Sequence, residues 1–183
     1  MPVLWLLLIV AALSVIGFVF SRIRALRSVN GDSRALHSLP KYYGANAVVF
    51  TAVPSLLLLA IWLLAQPIVI NSSIAKMIPE SAVAEGSSLD LLMSDVRRVA
   101  DGLDTAVASG NMTESEAGKL RASLSDVRGR LAGIGVALGS DVRPEVLGAA
   151  QKYRAMTAAG NLYMTVLVLL ASIAGFLWAV MSS

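Results

Sequence analysis

Three long uncharged stretches constrain the fold of this chain more than any other feature. They cover residues 1–21, 42–75 and 155–183, and none of them contains Asp, Glu, Lys, Arg or His. An α-helix needs roughly 20 residues to cross the hydrocarbon core of a bilayer. The chain is 56% hydrophobic and only 15% charged, whereas about a quarter of the residues in a soluble domain are charged. The sequence therefore predicts a membrane protein with three transmembrane helices.

The first stretch is interpreted as a retained membrane helix and not as a cleaved signal peptide. A secretory signal begins with a basic region and ends at a small-residue cleavage site. Here no Lys or Arg precedes the apolar run, and "SRIR" follows it at once. The basic residues flank the wrong end for a signal peptide.

The charges between the stretches predict the orientation of the chain. Residues 22–41 carry five Lys/Arg and one acid, whereas residues 76–154 carry ten Lys/Arg and eleven acids. Short loops rich in Lys and Arg stay in the cytoplasm, and long segments translocate largely regardless of charge. We therefore expect the N-terminus on the outer side of the membrane and the C-terminus on the cytoplasmic side. Neither charged segment forms the dense basic face of a nucleic-acid binder, so no nucleic-acid partner is expected.

The stretch "LHSLPKYYG" before the second span is interpreted as an interfacial elbow. Pro40 lacks an amide hydrogen and forces the preceding residue toward extended geometry. Tyr42 and Tyr43 suit the headgroup level of a membrane, and Gly44 permits a further turn before the helix. Pro54 lies inside the second span and is expected to kink it, either as a static bend or as a hinge. The residues assigned to topology are Arg22, Arg24, Arg27, Arg34, Pro40, Tyr42, Tyr43, Gly44 and Pro54.

The segment between the second and third spans shows two apolar patterns with helical spacing. The first comprises Leu89, Leu92, Val96, Val99, Leu103 and Ala106, and the second comprises Ala117, Leu120, Leu124, Val127, Leu131, Ile134 and Leu138. Between them, Gly110 and Asn111 suit a helix end, and Thr113 to Glu116 has the spacing of a capping box. Two such helices with a short connection predict an antiparallel hairpin, with the stripes as internal packing. A further helix, capped at Ser140 or Asp141 with Pro144 in its first turn, is expected to run into the third span.

These patterns define an all-α membrane protein with an extramembrane antiparallel helical hairpin between membrane helices 2 and 3. The expected divisions are a transmembrane helix at 1–21, a basic cytoplasmic loop with the elbow at 22–44, and a second transmembrane helix at 45–70. A helical hairpin or stalk on the outer side follows at 71–157, and a third transmembrane helix covers 158–181.

Residues that would support catalysis or metal binding are scarce. The chain has no cysteine and one histidine, and no phosphate-binding loop, nucleophile elbow or metal-spaced cluster occurs. Carboxylates on the faces of exposed helices have no pocket that would shift their pKa for acid–base work. We therefore interpret the chain as a non-enzyme without catalytic, cofactor-binding or metal-binding residues.

The order of these features resembles one known family. The basic loop, the stretch "LHSLPKYYG" leading into "AVVFTAVPSLLLLAIWLL", and the return through "QKYRAMTAAG" are similar to the N-terminal domain of the PstC-type permease subunit of bacterial phosphate ABC transporters. The resemblance covers essentially the whole chain. It implies a part of an importer that takes phosphate from a periplasmic binding protein and moves it inward with ATP. It also implies a bacterial inner-membrane protein in which the N-terminus and the outer segment at 71–157 are periplasmic and the C-terminus is cytoplasmic.

The resemblance also implies partners. They are the lipid bilayer, the remaining permease core, a partner permease subunit and the periplasmic phosphate-binding protein, with the ATPase subunit only indirectly in contact. No segment of this chain matches the family's translocation path or coupling helix, so no phosphate or ATPase contact is carried onto any residue. The chain is expected to be either a fragment of a longer permease or a separately encoded accessory subunit.

Two other classes of function stay open at this point. A membrane-anchored sensor or signalling module would receive a ligand on the periplasmic helical domain and relay it through the spans. The inner side, with one loop and a short tail, offers little output domain for such a relay. A self-standing structural or assembly protein is the third reading.

Overall fold

The computed structural model describes residues 3–28, 39–79, 88–121, 127–133 and 142–182. These residues form six helices: α1 Val3–Ser28, α2 Pro40–Ala75, α3 Leu89–Ala108, α4 Glu114–Lys119, α5 Val127–Ala132 and α6 Pro144–Met181. No strand occurs among them. The predicted all-α class is confirmed, and α1, α2 and α6 are long and apolar enough to cross a membrane.

The chain divides into two compact units. The first comprises residues 1–65 and 160–183, and the second comprises residues 66–159. Helices α2 and α6 therefore contribute residues to both units. The expected continuation of an extramembrane helix into the third span is present in α6, which runs unbroken from Pro144 to Met181.

The first unit, called here the membrane bundle, is built from α1, most of α2 and the C-terminal half of α6. Leu6 and Val10 of α1 pack in one cluster with Leu59 of α2 and with Met164 and Val168 of α6. Toward the other end of the bundle, Phe18 contacts Gly44 and Phe176 contacts Gly17. Helix α2 is therefore antiparallel to α1 and α6. Large apolar side chains such as Trp5, Leu57 and Leu170 remain exposed on the outside of this unit.

The second unit, called here the helical cap, has its own core. Buried side chains of α3 pack in one cluster with Ala117 of α4, Leu131 of α5 and Leu147 of α6, and with Ile74 near the end of α2. The predicted stripe on α3 is confirmed from Leu92 to Ala106, whereas Leu89 is exposed. Apart from Leu89, the described residues of the two apolar stripes are internal packing, as expected.

The second predicted stripe does not lie on one continuous helix. Helix α4 ends at Lys119, and Leu120 has extended backbone angles of φ −55° and ψ 139°. Gly118 weakens the helix here because glycine costs about 1 kcal/mol in a helix interior. The expectation of one helix from 117 to 138 is therefore wrong at Leu120. Leu124, Ile134 and Leu138 lie outside the described residues, and the antiparallel hairpin remains a prediction.

Two helix boundaries also differ from the sequence-based divisions. Helix α1 continues to Ser28, past the expected end at residue 21. Helix α2 begins at Pro40, so the expected elbow after Leu39 forms its first turns. Proline is well suited to the first position of a helix, because its missing amide hydrogen has no helical acceptor there.

Candidate functional site

A buried arginine on α6 organises the helical cap. The Arg154 side chain is only 7% exposed, and its Nε donates a hydrogen bond of 2.7 Å to Asp104 Oδ1 of α3. Its Nη2 donates a hydrogen bond of 3.0 Å to Glu114 Oε2, at the start of α4. One guanidinium therefore connects three helices. We call Arg154, Asp104, Glu114 and Gln151 the Arg154 cluster.

The turn between α3 and α4 sets the positions of the two carboxylates. Gly110 has a positive φ of 75°. Its amide donates to Val107 O, and the amide of Asn111 donates to Ala106 O. This is the hydrogen-bond pattern of a Schellman turn, in which glycine takes the left-handed conformation that ends a helix. Gly110 is therefore a helix end, as predicted.

A capping box starts the next helix. The amide of Glu116 donates to Thr113 Oγ1, and the amide of Thr113 donates to Glu116 Oε2. The predicted capping box is confirmed. Since Asp104 precedes the turn and Glu114 follows the cap, the local turn chemistry brings both carboxylates to the same guanidinium.

Gln151 supports the same region from α6. Its Nε2 donates hydrogen bonds to Ala117 O at 2.9 Å and to Leu120 O at 3.0 Å. The last carbonyl groups of a helix have no intrahelical donor, and α4 ends between these two residues. Gln151 therefore replaces the missing donors and stabilises the end of α4.

The chemistry of the Arg154 cluster is structural. An arginine side chain has only donors and stays protonated, so it does not exchange protons with a substrate. A planar guanidinium that binds two carboxylates fixes orientation as well as distance. No metal-binding group of three His, Cys, Asp or Glu side chains occurs within the part of the chain that the structure describes. The cluster holds α6 against the α3–α4 turn.

A second feature is a close helix crossing in the membrane bundle. Gly175 of α6 packs against the backbone of Phe50 and Thr51 of α2, and a side chain at position 175 would collide with the Phe50 carbonyl oxygen. Pro54 has no amide hydrogen, so the Phe50 carbonyl lacks its ordinary donor four residues later. Neighbouring helices commonly contact backbone groups that proline leaves unpaired in membrane helices. Gly175 therefore occupies the place where Pro54 has weakened the α2 hydrogen-bond ladder.

Gly44 also has a packing role. A Cβ atom at this position would lie 2.6 Å from Phe18 Cδ2. Gly44 was expected to allow a turn before the second span, but it lies inside α2 and admits the Phe18 ring. The expectation of a turn at Gly44 is therefore wrong. Glycine is needed here because the Phe18 ring approaches the α2 backbone closely, and not because the backbone must turn.

The structure places the other topology residues on two helix ends. Arg22, Arg24 and Arg27 are exposed in the last turns of α1, and Arg34 lies outside the described residues. Pro40 begins α2, and Tyr42 is exposed whereas Tyr43 is half-buried in its first turns. Pro54 is in the middle of α2, which continues through it. The described topology residues thus group at one end of the membrane bundle, except for Pro54.

Sequence reasoning missed the Arg154 cluster. The sequence patterns described above single out neither Arg154 nor its partners. A signal was nevertheless present, because Leu147, Ala150 and Arg154 recur at helical spacing. Leu147 and Ala150 are buried, so the same face of α6 carries Arg154 inward.

Together, the three apolar helices of the bundle and the helical cap between the second and third of them define a multi-span α-helical membrane protein. A family model described as "Phosphate ATP-binding cassette transporter" matches residues 7–177. The chain belongs to this family, and the resemblance inferred from its sequence is confirmed. Comparison with curated proteins and with solved structures finds no match.

Proposed function

We propose that this chain is the membrane-embedded N-terminal or accessory part of the permease of an ATP-driven phosphate importer. It scaffolds the permease core in the bilayer, and its helical cap covers the periplasmic side. The observation that carries this proposal is the family match over residues 7–177. Membership of a transporter family implies association with other subunits in the membrane and a transport role.

The membrane bundle supports the scaffolding role. Each of its three helices turns large apolar side chains outward, including Leu8 on α1, Leu64 on α2 and Leu167 on α6. Surfaces of this kind can contact lipid or the apolar helices of another membrane subunit. The core clusters of the bundle and of the cap are separate, so each unit has packing of its own to support a partner.

The proposed orientation follows from the basic end of the bundle. Arg22, Arg24 and Arg27 lie at the C-terminal end of α1, and Lys41 lies at the N-terminal end of α2. The cytoplasmic side is assigned to this end by the positive-inside rule. The N-terminus and the helical cap are then periplasmic, the C-terminus is cytoplasmic, and the membrane is the bacterial inner membrane.

Phosphate uptake in the host tests the proposal. The coding sequence for residues 1–183 is deleted and then restored from a plasmid. Two quantities are measured in each strain: the ATP-dependent uptake of radiolabelled phosphate and the amount of permease core in the membrane. We expect uptake to be lost on deletion and recovered on restoration. Unchanged uptake with a normal amount of permease core would rule the proposal out.

Co-purification tests the scaffolding role directly. A tagged chain solubilised in mild detergent is expected to retain the permease core. The variant Gly175→Ala disturbs the helix crossing and should retain less of the permease core. Gly148→Ala is the control and should retain as much of the core as the wild type, because the added methyl group on α6 has no atom within 4 Å. Equal recovery of the core with both variants would contradict a scaffold that depends on the bundle.

A further inference from the structure

The described part of the membrane bundle contains five buried hydroxyl groups. They belong to Ser14 and Ser21 of α1, Thr51 and Ser55 of α2, and Ser172 of α6, and none of these residues is more than 5% exposed. A hydroxyl that is buried without a hydrogen bond is less stable than the same group in water. Each of the five therefore needs a hydrogen-bond partner.

Ser14 and Ser55 find this partner within their own helices. Ser14 Oγ donates to Val10 O, and Ser55 Oγ donates to Thr51 O, each at 2.8 Å. Such a bond to the carbonyl four residues earlier is common for Ser and Thr inside helices. It uses the hydroxyl proton but leaves the oxygen of Ser14 and of Ser55 able to accept a hydrogen bond.

Thr51 and Ser172 do not make this bond. Both residues are 0% exposed, and neither Thr51 Oγ1 nor Ser172 Oγ has a hydrogen-bond partner among the described residues. Their oxygens are therefore not turned toward carbonyl groups of their own helices, and each keeps its proton for a partner elsewhere. Ser21 Oγ has no partner either, but it lies about two turns further along α1 than Ser14.

The contact between α1 and α2 brings Ser14 and Thr51 to one level. A Cβ atom at Gly17 of α1 would lie 3.6 Å from Ala47 Cβ of α2. Because the two helices are antiparallel, Ser14 and Thr51 lie beyond this contact in the same direction, by about 4.5 Å and about 6 Å along the helix axes. Both are on the faces that meet, since three or four residues make one helical turn.

Helix α6 adds Ser172 near this level. Gly175 packs against the α2 backbone at Thr51. Ser172 precedes Gly175 by one turn and lies with Val168 on the buried face of α6. Ser55 follows Thr51 by one turn in the same direction along the bundle. Four buried hydroxyl groups from three helices therefore lie within about one and a half helical turns, and we call them the hydroxyl layer: Ser14, Thr51, Ser55 and Ser172.

We propose that the hydroxyl layer binds one structural water molecule inside the membrane bundle. Thr51 Oγ1 and Ser172 Oγ donate their protons to the water oxygen, and the water donates its protons to Ser14 Oγ and Ser55 Oγ. Two donors and two acceptors match the hydrogen-bonding capacity of water, and buried waters typically make two to four such bonds. The four hydroxyl groups are thereby satisfied together.

The position of this site beside Pro54 gives the water a structural role. Proline leaves α2 without one backbone hydrogen bond there, and Ser or Thr side chains and ordered waters support membrane helices at such points. The water joins α1, α2 and α6 where α2 is weakened. The proposal does not depend on the transport function, because it uses only the packing of the bundle.

Magnetisation transfer from water to methyl groups tests the site. The full chain, with isotope-labelled threonine and methionine methyl groups in a deuterated background, is reconstituted in nanodiscs and studied by NMR. We expect a water cross-peak at the Thr51 methyl group. Met164 is buried in the apolar cluster of the bundle, and its methyl group should give none. A missing cross-peak at Thr51, or an equal one at Met164, would overturn a localised water site.

Two variants separate a bound water from exchange of the Thr51 hydroxyl proton with the solvent. Ser172→Ala keeps the Thr51 hydroxyl but removes one partner of the water, so the Thr51 cross-peak should fall to the level at Met164. Thr165→Val removes an α6 hydroxyl that already donates to Asn161 O, and it should leave the Thr51 cross-peak unchanged. A full cross-peak in Ser172→Ala, or an equal loss in both variants, would refute the bridging water. Circular dichroism confirms that both variants retain helix.

Discussion

Arg154 Nε donates a 2.7 Å hydrogen bond to Asp104 Oδ1, which joins α6 to α3 across fifty residues of sequence. The arginine is buried, but its partner is 61% exposed. The pair is therefore partly screened by solvent, and it is weaker than a fully buried ion pair. The pair contributes to stability chiefly because the Arg154 side chain is only 7% exposed, so water can replace a lost carboxylate only in part.

We expect Asp104→Asn to destabilise the helical cap by about 1.5 kcal/mol, since hydrogen bonds to charged groups contribute in this range. A urea titration of the full chain in detergent micelles measures the change in unfolding free energy. Asp101→Asn, at an exposed position one turn earlier on α3, is the control and should have little effect. A double-mutant cycle with Arg154→Gln should show coupling, and additive effects would contradict the ion pair.

Gln151 offers a test of donor chemistry at nearly constant shape. Gln151→Glu replaces the Nε2 donor, which serves Ala117 O and Leu120 O, with an acceptor that faces two carbonyl oxygens. We expect a loss of about 2 kcal/mol, because two partly buried acceptors lose their donor. Hydrogen exchange of the α4 amides should accelerate. Lys152→Glu, at the exposed neighbouring position, is the control, and equal acceleration in both variants would argue against the role of Gln151.

The glycine at the α3–α4 turn is expected to stabilise the helical cap for a conformational reason. Gly110 has a φ of 75° with open space around it, and an L-residue in this conformation costs roughly 1 kcal/mol. Gly110→Ala should therefore lower the unfolding free energy by about 1 kcal/mol. Gly118→Ala, in the exposed part of α4 with nothing within 4 Å, should raise it by up to about 1 kcal/mol. Thermal denaturation followed by circular dichroism should give opposite signs for the two variants.

Gly175→Ala should disturb the membrane bundle. The added methyl group would meet the Phe50 carbonyl oxygen, and backbone cannot move aside as a side chain can. Overpacking typically costs about 1–3 kcal/mol. The melting temperature of the detergent-solubilised chain, followed by tryptophan fluorescence, is expected to fall. Gly148→Ala has space for its methyl group, so an equal fall in this variant would show a general effect of alanine.

Single cysteines test the orientation in a chain that has none of its own. Ser28→Cys places a thiol at the end of α1, and Ser109→Cys places one at the exposed end of α3. In intact cells, an impermeant thiol reagent is expected to label only position 109, because the helical cap is proposed to be periplasmic. Both positions should react after permeabilisation, which controls for accessibility. Labelling of position 28 alone in intact cells would show that the orientation in the membrane is the reverse of the proposed one.

Features set by local sequence were predictable in this protein. The three spans follow from apolar length, the α3 stripe follows from helical spacing, and the α3–α4 turn follows from Gly110, Thr113 and Glu116. Each of these depends on residues within a few positions of one another. The physical information needed to predict them is therefore contained in short segments.

Features that depend on distant partners were not predictable. Arg154 is charged, and charge alone favours a solvated interpretation, but Asp104 and Glu114 compensate it at distances of 50 and 40 residues along the chain. The end of α4 at Leu120 was also missed, because the donor for its carbonyls is supplied by Gln151. Tertiary hydrogen bonds override local helical preference at this point.

The crossing of α6 over the Phe50 carbonyl has an evolutionary consequence. Helix α6 contacts the main chain of α2 there, so the contact does not require the Phe50 side chain. Phe50 is also 42% exposed. Related sequences should therefore vary freely at position 50 while retaining glycine at position 175. Saturation mutagenesis with selection for stably folded protein should then give different results on the two sides of this contact. Position 50 on α2 should accept many residue types, whereas position 175 on α6 should accept almost none besides glycine.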